Sequence, residues 1–279
     1  MTTHGFARHI AACNNARLPG GRSPLLLRGV QLGWVDPSLV APLATRGLIA
    51  DADGAYAIDD PALLAELGRS LATDGYFRFR DEPFDIVAGR DSPVLGTIDR
   101  GALPGFGLLA AGVHLNGLVE TMDGPHLWVG VRAANKLLDP GKLDHLVAGG
   151  IAAGHSPAET LIKEAGEECS LPPELARHAV KVGEITYCMD RPEGLRRDLL
   201  HCYDLILPAD WMPAPNDGEV AEFRLLPLAE VFALVRDGDD FKFNVNLVLI
   251  DLFLRRGLLD ENSPDGQRLR AGLSANAAL

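Results

Sequence analysis

The chain has 279 residues, 47% hydrophobic and 23% charged, which excludes a disordered chain, a collagen and a coiled-coil rod and leaves room for about two domains. Its 26 basic and 38 acidic residues give a formal net charge of −12. That argues against a nucleic-acid polymer as partner, because such binding needs a broad basic surface. An acidic chain that acts on an anionic substrate usually needs a metal ion between the two. No run approaches the roughly 18 consecutive apolar residues of a membrane span, and the N-terminus lacks the apolar region of a secretory signal. Cys13, Cys169, Cys188 and Cys202 show no CxxC pairing and read as reduced thiols. The expected location is therefore the cytoplasm.

In chain order, residues 25–30 and 31–35 are short apolar runs with strand character. Asp36 and Pro37 form an N-cap and N1 pair that opens a helix over 37–46, and Asp60 and Pro61 repeat the signal. In the segment after Pro61, Leu63, Leu64, Leu67 and Leu71 recur at helical spacing. Residues 76–80 alternate aromatic and basic side chains and predict a half-exposed strand. The stretch 90–107 is rich in Gly, Pro, Asp and Ser and is taken as a domain junction. The division is a small α+β unit over 1–100 and a second domain over 101–279.

Beyond it, 108–119 and 126–133 are strand-like runs flanking turn chemistry at Met122-Asp123-Gly124-Pro125. A lysine-bearing polar loop, 134–145, leads to an apolar run at 146–150 and a helix over 157–169. Strands are expected at 180–189, 198–207 and 219–226, and closing helices at 228–236 and 246–256. The absence of strict strand–helix alternation favours α+β over a doubly wound sheet. His114 and Trp128 read as core side chains, as do Trp34 and Phe79.

The informative stretch is GGIAAGHSPAETLIKEAGEECSL, residues 149–171. Ser156, Pro157 and Glu159 make a capping box that starts a helix. Counting about 100° per residue, Glu168 lies about 40° to one side of Glu164 and Glu167 about 60° to the other. Like charges at these spacings destabilise a helix by about 0.2–0.5 kcal/mol per pair, and anions near its C-terminus oppose the helix dipole. Lys163 relieves part of this, and a hard divalent cation would relieve more. The plainer alternative is a solvated acidic face. Gly149, Gly150 and Gly154 shift the balance, since glycines before a helix let the backbone turn tightly and approach a ligand.

This segment resembles the Nudix box, G-x5-E-x7-R-E-U-x-E-E-x-G-U, where U is a bulky aliphatic residue. Gly149 fits the first glycine, Glu164, Glu167 and Glu168 the metal-binding glutamates, and Leu171 the last position. His155 stands in place of the first glutamate, Lys163 of the arginine, Ala165 of a bulky aliphatic residue and Ser170 of the final glycine. Glu159 either stands in for the missing carboxylate or serves the capping box. The stretches KLDHLVAGGIAAGHSPAETLIKEAGEE, PNDGEVAEFRLLPLAEV and FKFNVNLVLIDLFLRRGLL are similar to one branch of the Nudix (MutT-like) hydrolases. That branch is related in sequence to thiamine pyrophosphokinase and carries an extra N-terminal domain.

The resemblance implies a Nudix-type α/β/α sandwich with a mixed sheet behind a small α+β domain. It implies hydrolysis of a diphosphate linkage in a small molecule, with thiamine diphosphate or damaged forms of it as a candidate substrate. Glu164, Glu167 and Glu168 are then the ligands of Mg²⁺ or Mn²⁺, and one of them, or Glu219, is the base. Arg132, Lys136, Gly149, Gly150 and Glu222 are the candidate substrate contacts. For Glu219 and Glu222 the alternative is strand-edge charge after the Asp217-Gly218 turn. A homodimer is the assembly common in that family. The competing function is a Nudix-fold module that binds a ligand or protein without catalysis. The N-terminal unit, which has no catalytic signature of its own, is expected to cover the site and shape specificity.

Overall fold

The computed structural model describes residues 4–136 and 138–274. The chain opens with helix α1 (His4–Cys13), then strands β1 (Ser23–Leu27) and β2 (Val30–Val35). A single 3-10 turn at Pro37–Leu39, capped by the Asp36 carboxylate, runs into the short helix α2 (Val40–Ala44). Strand β3 (Tyr56–Ile58) pairs parallel with β1, while β2 pairs antiparallel with it. Helix α3 (Pro61–Thr73) starts where Asp60 accepts the Ala62 N–H, and it buries Leu64, Leu67 and Leu71. The i, i+3, i+4 spacing of those leucines is what gives the helix a core face.

The strand expected at 76–80 is absent. The Arg80 and Glu82 N–H groups donate to the Asp99 carboxylate, so a side chain takes the place of a partner strand. Strands β4 (Pro83–Ile86) and β5 (Gly96–Asp99) form a separate antiparallel pair. The expected junction over 90–107 is likewise folded. After β5 comes a 3-10 turn and helix α4 (Leu103–Phe106), closed by Gly107 at φ 54°. Gly, Pro and Asp serve here as caps and turns of packed structure, not as a linker.

The second half is built on a seven-stranded mixed sheet. Its members are β6 (Leu109–Thr121), β7 (Gly124–Arg132), β8 (Leu143–Asp144), β9 (Val147–Gly150), then β10 (Val180–Arg191), β11 (Gly194–Ile206) and β12 (Val220–Pro227). The main path is β10-β11-β6-β7-β12, with β8 on β7 and β9 on β6. The pair β6–β11 is parallel and the other ladders are antiparallel. Helices α5 (Pro157–Cys169) and α6 (Pro173–Ala176) follow β9, while α7 (Leu228–Asp237), α8 (Val245–Arg255) and α9 (Pro264–Leu273) close the chain.

Alternation along β6 sorts the two faces. Val113, Leu115 and Val119 join Leu161, Ala165, Cys169 and Leu171 in a core under α5. Leu118, with Leu127 and Val129 of β7, packs on the opposite side against α1, α7, α8 and α9. The result is α+β with a mixed sheet between two helical layers. A third core gathers Leu25, Leu32, Tyr56, Leu64 and Phe84 with Leu103, Phe106 and Leu108. Side chains therefore do not sort at residue 100. Phe6, Ile10 and Cys13 of α1 belong to the second half's core, and Leu103 to Leu108 belong to the first's. No helix among the described residues is long and apolar enough to cross a membrane.

Candidate metal and diphosphate site

Helix α5 begins as its sequence predicts. Ser156 Oγ accepts the Glu159 N–H at 3.2 Å, and Glu159 Oε2 accepts the Ser156 N–H at 2.9 Å. Glu159 is thus committed to the capping box. His155 is exposed, with Nδ1 3.2 Å from the Ala153 carbonyl. At the far end Ser170 takes the left-handed conformation, φ 57° and ψ 30°, the conformation the box glycine would favour. Its Oγ donates to the Ala214 carbonyl at 3.1 Å.

The three glutamates have different surroundings. Glu168 is 7% exposed, and its Oε2 accepts the Ala148 N–H of β9 at 3.0 Å. Burial pushes its carboxyl well above the usual range, the Ala148 hydrogen bond opposes this, and the charges of Asp144 and Glu164 add to the rise. Glu164 is partly buried, and desolvation raises it too. The hydrogen bond from Lys163 works against that rise, while the charges of Glu167 and Glu82 add to it. Glu167 is half exposed and takes Lys163 Nζ at 2.6 Å, while Glu164 shares the same ammonium at 3.2 Å.

The glycines before the helix explain how Glu164 sits. A Cβ on Gly149 would lie 2.4–2.6 Å from Glu164 Cγ, Cδ and Oε2. A Cβ on Gly150 would meet the Phe84 ring at 2.7 Å and the Arg100 guanidinium at 3.4 Å. The bare faces of both glycines are thus filled by protein side chains, a correction to their expected role as open approaches for a ligand.

The cations expected to meet substrate are engaged elsewhere. Arg132 donates to the Leu138 and Asp139 carbonyls and, through Nη1 at 2.6 Å, to Asp144. Its side chain is largely buried, and it fixes the backbone at Leu138 and Asp139. That use of its donors replaces the expected substrate contact. Lys136 pairs with Glu219 at 2.5 Å; two expected site residues thus meet each other. Glu222 is exposed and paired with Arg224.

Asp144 is the residue that sequence reasoning passed over. It is buried between Arg132 and Lys242, at 2.6 and 3.2 Å. Burial by itself would raise its pKa, but Lys242 and Arg132 outweigh that and hold it below the usual range. Its only sequence signal is an acid within the apolar run KLDHLV. His114 Nδ1 lies 2.9 Å from His145 Nδ1. Burial lowers both imidazoles, His145 to about 4.

Among the described residues, His114, Asp144 and His145 are the one group of three such side chains whose ligand atoms lie within 4.8 Å of one another. It does not suit a cation. Asp144 already neutralises two cations, and the imidazoles bond to each other. The box carboxylates are less tightly gathered but suit one better. Glu168 is a buried carboxylate with no salt bridge among the described residues, and the donors are hard oxygens of the kind Mg²⁺ and Mn²⁺ take. Lys163 holds the outer two through an exposed pair that costs little to displace.

No family model matches the chain. Two plant proteins do. Over 185 residues it is 43% identical to "Nudix hydrolase 24, chloroplastic" of Arabidopsis thaliana, covering 66% of this chain and 51% of the relative. Over 184 residues it is 40% identical to "Nudix hydrolase 20, chloroplastic" of the same plant, covering 66% and 49%. The chain thus spans about half the length of these curated relatives. Among solved structures it is similar to the MutT protein of Methanosarcina mazei Go1, with TM-score 0.41, 15% identity and coverage of 53% of this chain and 95% of that one. By sequence, then, the matched two thirds of the chain are similar to plant proteins named as Nudix hydrolases.

Proposed function

We propose that the protein is a metal-dependent hydrolase of a diphosphate linkage in a small molecule. The observation that carries this is Glu168, a buried carboxylate without a salt-bridge partner among the described residues, one helical turn from Glu164 and held against β9 by the Ala148 N–H. Burying an uncompensated carboxylate is costly, so such a group gains most from a divalent ion. Glu164, Glu167 and Glu168 would hold Mg²⁺ or Mn²⁺, which when bound neutralises phosphoryl oxygens and acidifies water.

The chain's own residues do the rest. Gly149 leaves the space that keeps Glu164 against the strand end. The Ala148 N–H orients Glu168. Glu219, exposed just before β12, is the candidate base outside the box, and Lys136 beside it holds its carboxylate in place. The substrate class we favour is thiamine diphosphate or damaged forms of it, supported by the similarity of 142–168 and 241–259 to the branch related to thiamine pyrophosphokinase. A reducing compartment such as the cytoplasm is in keeping with four buried free thiols, although the plant relatives' names place those proteins in the chloroplast.

The test is a panel of diphosphate compounds, thiamine diphosphate and its oxidised analogues included, incubated with Mg²⁺ or Mn²⁺. Monophosphate release by the wild type, falling about 100-fold or more in Glu168→Gln, is the expected result. Equal turnover by both would remove the ligand assignment. Ligand binding without turnover by either would favour the non-catalytic module.

A further inference from the structure

The N-terminal unit meets the box loop along strand β4. The Ala153 N–H donates to the Pro83 carbonyl at 2.8 Å, and the Gly154 N–H donates to Asp85 Oδ2 at 3.1 Å. Strand β4 therefore borders the loop that joins β9 to α5. On this border stands Arg100. Its guanidinium lies over the Phe84 ring, 5.5 Å from the centroid, and against the bare face of Gly150. The next residue back, Gly149, carries the Glu164 side chain on its own bare face. Arg100 is thus one residue along the same strand end from a box carboxylate.

Its hydrogen bonding is incomplete. Nη1 donates to both Glu82 oxygens, at 3.2 and 3.0 Å, while Nε and Nη2 have no partner among the described residues. The side chain is 47% exposed and that of Glu82 35%, so the pair is screened and weakly held. Arg132 and Lys136, by contrast, have spent their charge on Asp144 and Glu219. A planar cation with open donors, stacked on an aromatic ring and aimed along a strand end, suits bidentate recognition of a phosphate.

From this we infer that Arg100, contributed by the N-terminal unit, contacts a phosphate of the substrate, with Glu82 holding the guanidinium in place until it arrives. The inference rests on the diphosphate reading above, and it gives the N-terminal unit a binding residue of its own. Nothing in the Nudix box encodes it.

The test uses full-length protein, Mn²⁺ and methylenediphosphonate, a diphosphate analogue that cannot be hydrolysed. Mn²⁺ binding is read by electron paramagnetic resonance and diphosphonate binding by calorimetry, for wild type, Arg100→Gln and Arg100→Lys. Folding is checked by thermal melting. Expected are unchanged Mn²⁺ affinity in all three, about tenfold weaker diphosphonate binding in Arg100→Gln and partial recovery in Arg100→Lys, since lysine keeps the charge but not the fork. On any diphosphate compound the wild type turns over, Arg100→Gln should raise KM more than it lowers kcat. Unchanged diphosphonate affinity in Arg100→Gln, beside intact Mn²⁺ binding, would overturn the assignment of Arg100 alone. Failure of the wild type to bind Mn²⁺ would overturn the functional reading and this inference with it.

Discussion

Glu168 joins a stability effect to a binding effect. Its carboxyl is raised in the folded state, so across the range between its unfolded and folded values the native protein holds a proton that the unfolded chain has released. Stability then falls as pH rises through that range and is greatest below it. Glu168→Gln removes the titration while an amide oxygen can still accept the Ala148 N–H. With EDTA present, melting curves of the wild type should fall relative to Glu168→Gln as pH rises above the unfolded carboxyl value of about 4.3. Adding Mn²⁺ should raise the wild type's melting temperature at pH 7–8, because ligation requires the ionised carboxylate, and leave the variant's unchanged. Parallel curves in EDTA would mean the carboxyl is not raised.

At the scale of the element, α5 shows how a helix is delimited by its ends. The capping box starts it, and Ser170 ends it in a conformation that costs a residue other than glycine about 1–2 kcal/mol. The Ser170 hydroxyl recovers part of that by donating to the Ala214 carbonyl, a bond worth about 0.5–1 kcal/mol at an exposed position. Ser170→Gly should therefore stabilise the protein by about 0.5 kcal/mol, a rise of about 1–2 °C in melting temperature. It should leave Mn²⁺ affinity unchanged, since the glutamates lie upstream. A loss of stability would show that the Ala214 bond outweighs the backbone cost.

At the scale of the molecule, the first ten described residues belong to the last part of the chain. Phe6 is buried against Phe232 and Phe253, with ring centroids 4.9 and 6.1 Å away. Arg8 spans α1 to Asp239 and the carbonyls of Val235 and Gly238. The N-terminal unit therefore starts inside the second half's packing. Phe6→Ala should cost about 3–5 kcal/mol, the loss of a buried aromatic side chain plus its cavity, as read by urea denaturation. A cost under 1 kcal/mol would show that α1 is not part of this core.

The sequence by itself determined what repeats at short range. The capping box, the leucine spacing of α3, the alternation in β6 and β7 and the turn at Met122–Pro125 need only neighbours within a few residues, so local chemistry predicts them. The carboxylates of α5 were legible for the same reason. Tertiary structure alone decided which charges are free. Arg132 and Lys136 are as basic in the sequence as Arg100, yet Asp144 and Glu219 neutralise them across strands that local patterns do not pair. It also decided that Tyr76–Arg80 would not form a strand: the Tyr76 N–H turns back to the Leu71 carbonyl, and the Arg80 N–H is taken by Asp99, about twenty residues on. A pKa or a free donor depends on what lies within a few ångströms, and folding brings that neighbour from anywhere along the chain.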